Sequence, residues 1–379
     1  MSDLNVGIAG LGTAAKQVLP SFDKVDGVRL AAAADIRAEA RDEFSKAYKL
    51  PAHASIEELC ISNTVDAVWI ETPNHLHCEH AICAAQSGKH IICAKPLAAN
   101  LEECERMIAA ARANDVQLLI GHSKIFDPPI AKMTEIARSG NLGKVVQIDS
   151  WLYNDWLRRP RLAEELNEEK GAGFILRQAP HLVDIANVIA GTAAVSVRAI
   201  TGRWEPDIAS DGNCAALISY ESGALASISL NGYGYFDSSE LSWGIGTFGD
   251  KRENRIPAKR PEGPLDEAEK YAEPRIVQAG GAMPFFGLHI VAMERGAIRQ
   301  SPRGLYVYTD EGREEISLPP YRGRAAELIE LRDALRENRD VFPNGEWGKA
   351  NLEICLAMLR SSREGQDVAL KFQAVEGGH

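Results

Sequence analysis

The chain has 379 residues, 45% of them hydrophobic and 25% charged, a length that predicts two domains and a composition ordinary for a soluble globular protein. A net charge of -11 argues against nucleic acid and anionic membrane as partners, no apolar run approaches a membrane span, and the N-terminus lacks a basic region followed by an apolar core. Seven cysteines form no CxxC pair, so neither a zinc knuckle nor a disulfide framework is indicated and a reducing cytoplasm is expected.

The chain opens on an apolar run, Asn5 to Ala9, then the turn Gly10-Leu11-Gly12-Thr13-Ala14-Ala15, then a second apolar run, Val28 to Ala34, that ends on Asp35. Strand, glycine turn, helix, strand and acid make the dinucleotide-binding fingerprint G-x-G-x-x-G/A, with Ala15 in the third place. Gly10 permits the tight turn. Gly12 lets a pyrophosphate approach the backbone, next to Thr13 and Ala14. Ala15 lets the helix lie close on the sheet. Free N–H groups at the helix start favour phosphate. Asp35 stands where a carboxylate accepts from the ribose hydroxyls and repels a 2′-phosphate, which predicts NAD rather than NADP. Arg37 complicates this, since it could stack on adenine or reach a phosphate. Pro20 should kink or end the first helix, expected over Thr13–Phe22.

A helix follows over Ala38–Tyr48, and Ser55 with Glu58 forms a capping box. Ala67–Glu71 is a buried strand, followed by Thr72-Pro73-Asn74-His75-Leu76-His77 and a helix running to Gly88. His90–Cys93 is a strand leading into Ala94-Lys95-Pro96. Asn100 and Glu103 open the next helix, and Gln117–Gly121 is the last strand of the series. Unbroken alternation predicts a doubly wound parallel sheet over residues 1–123. Ligands on such sheets bind beyond the C-terminal strand ends, where Gly10, Gly12, Thr13, Ala14, Asp35, Arg37, Thr72, Pro73, Asn74, His77 and Lys95 lie. Lys95 reads either as a loop lysine or as a group that polarises a carbonyl or hydroxyl. His75, His77 and His80 have no metal-ligand spacing, and no metal is expected.

From residue 124 the rhythm changes. A helix near Pro129–Arg138 ends at Gly140. Alternating segments follow: Lys144–Trp156, Val195–Trp204, Asn213–Tyr220, Ala224–Tyr233, Leu241–Phe248, and Leu305–Tyr308 with Glu315–Leu318. Tyr220–Gly223 reads as a hairpin turn. These predict an α+β domain over 124–379 with a large open, mostly antiparallel sheet suited to subunit packing as a homodimer or homotetramer. Residues 250–281 look like a long excursion, an arm or lid. Two helices near Ala325–Glu337 and Gly348–Arg363 close the chain, and the tail from Glu376 is expected to be disordered.

One further segment stands out, Gly171-Ala172-Gly173-Phe174-Ile175-Leu176-Arg177-Gln178-Ala179-Pro180-His181. Pro180 fits the first position of a helix whose Leu182, Ile185 and Ile189 form the buried stripe. His181 and Asp184 fall on another face. His181 is then either structural or a general acid/base in the first turn.

With these motifs assembled, the chain resembles the glucose–fructose oxidoreductase / inositol dehydrogenase (Gfo/Idh/MocA) family over nearly its whole length. The resemblance rests on GLGTAA, Asp35, TPNHLH, AKP and GAGFILRQAPH. It implies an N-terminal Rossmann domain, a C-terminal α/β domain for substrate and oligomerisation, and catalytic roles for Lys95 and His181. Two positions depart from the family. The glutamate before the lysine is Ala94, and the aspartate four residues before the histidine is Arg177. The stretches SWLYNDWLRRPR, RQAPHLVDI and MERGAIRQSPRGLYVYTDEGR look like the dehydrogenases of phthalate dihydrodiols.

The leading expectation is an NAD-dependent dehydrogenase acting on a small carboxylated cis-dihydrodiol, with Arg158, Arg159, Arg161, Arg177 and Asp184 at the substrate. The arginines would either bind carboxylate or pair with Asp155, Glu164 or Glu165. Sugar or inositol oxidation, a non-catalytic NAD-binding regulator and a glycosidase using bound NAD transiently are the alternatives.

Overall fold

A computed structural model of the protein describes residues 3–168, 171–252, 282–319, 321 and 323–375. The excursion expected over 250–281, from residue 253 onward, and the tail 376–379 lie outside the described residues. The chain divides into two compact units.

The first comprises residues 3–123 and 323–349. Its apolar runs become β1 (Leu4–Ala9), β2 (Val28–Ala34), β3 (Ala52–His53), β4 (Ala67–Ile70), β5 (His90–Ala94) and β6 (Leu118–Gly121), all parallel, in the order β3-β2-β1-β4-β5-β6. Strands covered on both faces read as unbroken apolar runs rather than alternation; Ile8, Trp69, Ile70, Ile91, Ile92, Leu119 and Ile120 are fully buried. The order reverses between β1 and β4, which makes a ligand crevice at their C-terminal ends. The parallel sheet is as expected.

The first helix is shorter than its sequence suggested. α1 covers Ala15–Val18, and a 3-10 turn over Leu19–Lys24 follows, because Pro20 withholds an amide from the α-ladder. α2 is Ala38–Tyr48, α3 Ile56–Cys60, α4 His77–Gln86 and α5 Leu101–Ala113. Ser55 and Asn100 cap α3 and α5 by accepting from the Glu58 and Glu103 amides. Each glutamate reaches back to the residue before the cap, Ala54 or Ala99. The helix Ala325–Glu337 folds with this unit, where Leu328 and Leu331 join the core around Ile8, Phe22 and Trp69.

The second unit comprises residues 124–168, 171–252, 282–319, 321 and 350–375. α6 is Pro128–Ser139, and α7 is Gly173–Ala190. The sheet has nine strands: β7 (Val145–Tyr153), β8 (Ala194–Gly202), β9 (Asn213–Tyr220), β10 (Leu225–Asn231), β11 (Leu288–Met293), β12 (Gly296–Ser301), β13 (Gly304–Thr309), β14 (Gly312–Ser317) and β15 (Val368–Ala369). Their order is β14-β13-β12-β11-β7-β10-β9-β8-β15, antiparallel except where β7 and β10 run parallel. The hairpin at Tyr220–Gly223 closes with Gly223 donating to the Tyr220 carbonyl at 2.9 Å, at a positive φ that only glycine adopts easily.

Two expectations fail here. Leu241–Phe248 is not a strand; a 3-10 turn over Ser238–Ser242 ends on left-handed Trp243, and Gly244, Gly246 and Gly249 interrupt any alternation. In its place β11 and β12 extend the sheet. Pro180 does not start its helix either. α7 begins at Gly173 and carries Pro180 inside it, and of its residues all but Arg177 and Ala190 are buried. A helix buried on nearly every side is held by its surroundings, and that packing outweighs the bond that proline removes.

Candidate active site

The C-terminal ends of the parallel strands gather the predicted cofactor residues. Gly10 follows β1 at φ +91°, and a Cβ there would come within 2.9 Å of the Glu71 carbonyl oxygen and 3.0 Å of the Thr72 nitrogen. No side chain fits, so the turn requires glycine. Beyond it Gly12 and Thr13 are half-buried and Ala14 is exposed, while Ala15 is fully buried against the sheet. This leaves the backbone of the turn open to a ligand.

Asp35 follows β2. Its Oδ2 accepts from the Leu11 amide at 2.7 Å, which ties the acid to the glycine turn. Its Oδ1 accepts from the Arg37 amide at 2.9 Å, and the Arg37 guanidinium donates to both oxygens at 3.0 and 2.9 Å. Burial pushes the Asp35 carboxyl up, but the bonds from Arg37 and Leu11 outweigh it and hold it below the usual carboxylate range. Asp35 is therefore ionised at neutral pH, and Arg37 clasps it.

After β4, the Thr72 hydroxyl pairs with His80 Nδ1 at 2.9 Å, Pro73 is exposed and Asn74 is buried. His77 is fully buried, with Nε2 2.9 Å from the Thr72 carbonyl oxygen and Nδ1 3.0 Å from that of Pro96. Both ring nitrogens of His77 stand against backbone carbonyls, to one of which a neutral ring donates, so this geometry ties it to the backbone and not to the direct cofactor contact expected.

Lys95 follows β5 and is half-buried. Two groups that the sequence did not mark feel its charge. Burial, with a smaller push from Lys95, takes the His122 imidazole down to about 3. Burial raises the Glu71 carboxyl above its ordinary range against the pull of Arg324 and Lys95. Arg324 pairs with Glu71 at 3.3 Å and with both carboxylate oxygens of Glu327 through its Nε and Nη2, and its guanidinium lies 5.3 Å over Trp69. Nothing local in the sequence marks the pairing of Glu71 with Arg324, because the two are 253 residues apart.

In the second unit, α7 presents Arg177, His181 and Asp184 on one face, at spacings of four and three. His181 is 8% exposed, and its ring lies 4.5 Å from that of Phe286. Asp184 is fully buried, with Asn351 donating to it at 3.4 Å. Substrate contact through Asp184, as expected, would require its enclosure to open. Phe286 also borders Lys124, whose ammonium pairs with Asp127 at 3.1 Å and is ringed by Phe248, Phe286 and Tyr321. This buried pair in HSKIFDP carried no signal beyond its charge.

The arginines separate. Arg158 bonds the Tyr233 carbonyl, stands 3.8 Å from Glu205 and lies over the Tyr235 ring. Arg159 pairs with Asp155 at 2.8 Å. Arg161 and Arg177 share one carboxylate, Glu165, at 3.6 and 3.3 Å, and Arg161 stacks on Trp156 at 3.8 Å. Burial, then the charges of Arg159 and Arg177, outweigh Glu165 and take Arg161 down to about 9.

The glycine turn, the open backbone beside it and the ionised Asp35 fit a dinucleotide. The model of an oxidoreductase family with an NAD-binding Rossmann fold (GFO_IDH_MocA) matches residues 4–122, and that of the GFO/IDH/MocA C-terminal domain matches 130–242. The chain belongs to the Gfo/Idh/MocA oxidoreductase family. A 1-carboxy-3-chloro-3,4-dihydroxycyclohexa-1,5-diene dehydrogenase of Comamonas testosteroni is 32% identical over 95% of each chain. A solved structure from Bordetella bronchiseptica RB50 is 34% identical, covers 97% of this chain and 100% of its own, and superposes with a TM-score of 0.88. Levoglucosan dehydrogenase, solved with NADH and levoglucosan, shares the fold at 18% identity, with a TM-score of 0.79 over 98% of this chain and 100% of its own. The protein is an NAD-dependent dehydrogenase of this family. No helix among the described residues is long and apolar enough to cross a membrane.

Proposed function

We propose that the protein oxidises a carboxylated cis-dihydrodiol, of the phthalate 4,5-dihydrodiol type, to the dihydroxy aromatic. The observation that carries this reading is Glu165 shared between Arg161 and Arg177. Both guanidiniums border Glu165, and burial with the like charges of Arg159 and Arg177 presses Arg161 down, so an anionic ring substituent brought beside them would be favoured. A ring carboxylate accepts the paired donors of arginine bidentately. A neutral sugar offers no such partner. Arg158 and Arg159, engaged elsewhere, frame this region rather than bind.

Gly10, Gly12, Thr13 and Ala14 would hold the pyrophosphate and Asp35 the adenosine ribose. Bound NAD supplies the hydride acceptor. His181 takes the proton of the substrate hydroxyl, and Lys95 stabilises the alkoxide that develops as the hydride departs. Loss of the remaining ring proton from the resulting ketone restores aromaticity, which draws the reaction toward NADH.

Subunit packing through the nine-stranded sheet belongs to the same reading. The face opposite the buried one carries Trp151, Ile200, Leu217 and Leu225, each at least 38% exposed. A patch of this kind marks an interface, and we assign it to a homodimer or homotetramer. Seven thiols, none in a disulfide, fit a reducing cytoplasm.

The test is Arg177→Ala and Arg161→Ala. Each should raise KM for the phthalate dihydrodiol at least tenfold, the scale of a charged hydrogen bond lost in a partly buried site, and leave activity on an uncarboxylated dihydrodiol within about threefold. Equal losses on both substrates would remove the arginines from carboxylate binding.

A further inference from the structure

β4 and β5 pair only as far as Ile70 opposite Cys93. Beyond that point no ladder bond between them fixes the Thr72 turn against the Lys95 turn. The buried ring of His77 spans the gap. Its Nε2 meets the Thr72 carbonyl at 2.9 Å, and its Nδ1 meets the carbonyl of Pro96, the residue after Lys95, at 3.0 Å. One turn along α4, His80 holds the Thr72 hydroxyl, so Thr72 is gripped at both its backbone and its side chain. His77 itself is rooted in a helix that packs on α5 and β5.

We infer that His77 is a positioning residue, a brace that locks the Lys95 turn to the Thr72–Asn74 turn and so fixes where the Lys95 ammonium can stand. A buried imidazole between two carbonyls is suited to this, because the ring is rigid: in its neutral form it donates to one carbonyl and packs against the other, so its place keeps the two turns in register. The catalytic consequence rests on Lys95 acting as proposed above; the brace itself does not.

The experiment compares full-length wild type with His77→Leu, His77→Asn and His77→Gln. Asparagine reproduces the reach of Nδ1 toward Pro96, and glutamine that of Nε2 toward Thr72. Amide hydrogen exchange of the cofactor-free protein is read over residues 94–98, and kcat and the NAD dissociation constant are measured separately. His77→Leu should speed exchange at 94–98 about tenfold, the equivalent of one buried hydrogen bond, and lower kcat at least as much, with NAD affinity within about threefold of wild type. His77→Asn should recover exchange and kcat better than His77→Gln. If the leucine variant does not fold, the Asn and Gln pair decides. Unchanged exchange at 94–98, or equal effects of Asn and Gln, would overturn the brace. Faster exchange with normal kcat would overturn its role in positioning Lys95. Lys95→Ala runs in parallel: full turnover there would remove the lysine from the reaction, while the exchange result would still judge the brace.

Discussion

Arg324→Leu should destabilise the first unit, and do so less in acid. Arg324 donates to Glu327 at 2.9 Å and to Glu71 at 3.3 Å, and both carboxylates are enclosed, at 0% and 3% side-chain exposure. Removing one partner of a buried ion pair costs ~3–5 kcal/mol, because the charge left behind keeps its desolvation cost. Loss of the contact over Trp69 adds about 0.5–1 kcal/mol, while the charge of Lys95, which also pulls the Glu71 carboxyl down, moderates the total. A loss of about 4 kcal/mol corresponds to a fall in Tm of roughly 8–16 °C at this size. The pH dependence follows from Glu71. Burial raises its carboxyl in the folded protein, with Arg324 pulling it down, and removing Arg324 raises it further. A group whose folded value is raised contributes stability that is full below the unfolded value and is lost as pH rises through the folded one. The deficit of the variant should therefore be largest near pH 8 and shrink toward pH 5. Differential scanning calorimetry across that range measures it, with Arg324→Lys recovering part of the loss. A deficit below about 1 kcal/mol at pH 7.5, or one independent of pH, would refute the reasoning.

Three further outcomes are expected. Asp35→Ser should cut kcat/KM for NAD at least tenfold and narrow the gap to NADP, since Arg37 would be released from the carboxylate it clasps; steady-state kinetics with both cofactors decides, and wild-type kcat/KM for NADP equal to that for NAD would dismiss the assignment. Lys95→Ala and His181→Ala should each lower kcat on the order of a hundredfold with NAD binding retained by fluorescence titration; near-normal turnover in either would dismiss that residue. Leu217→Glu, on the exposed sheet face, should shift the protein toward monomer in light scattering, and an unchanged mass would place the interface elsewhere.

Much of the first unit was legible because each of its elements announces itself locally. Apolar runs such as Ala67–Ile70 are buried on both faces, and Ser55 and Asn100 mark helix starts by their own side chains. The second unit hides more. Pro180 imitates a helix start, and only the enclosure of α7 shows that the helix begins at Gly173. Leu241–Phe248 has the composition of a strand, but its glycines turn the chain, while β11 and β12 carry ordinary residues that the sheet recruits. At the site, Gly10 and Asp35 follow from spacing. The partners of the arginines do not, since local sequence left Asp155, Glu164 and Glu165 open for all of them and omitted Glu205. The place of His77 between two carbonyls depends on where neighbouring strands stop pairing, which no pattern of side chains encodes.

The most direct test of the proposed function is a comparison of kcat/KM with NAD for three substrates under identical conditions: the cis-4,5-dihydrodiol of phthalate, an uncarboxylated cis-dihydrodiol and myo-inositol. NADH formation should be fastest on the first by at least a hundredfold over the second, about the combined worth of two carboxylate–arginine contacts, with myo-inositol last. Equal activity on all three, or best activity on myo-inositol, would contradict it.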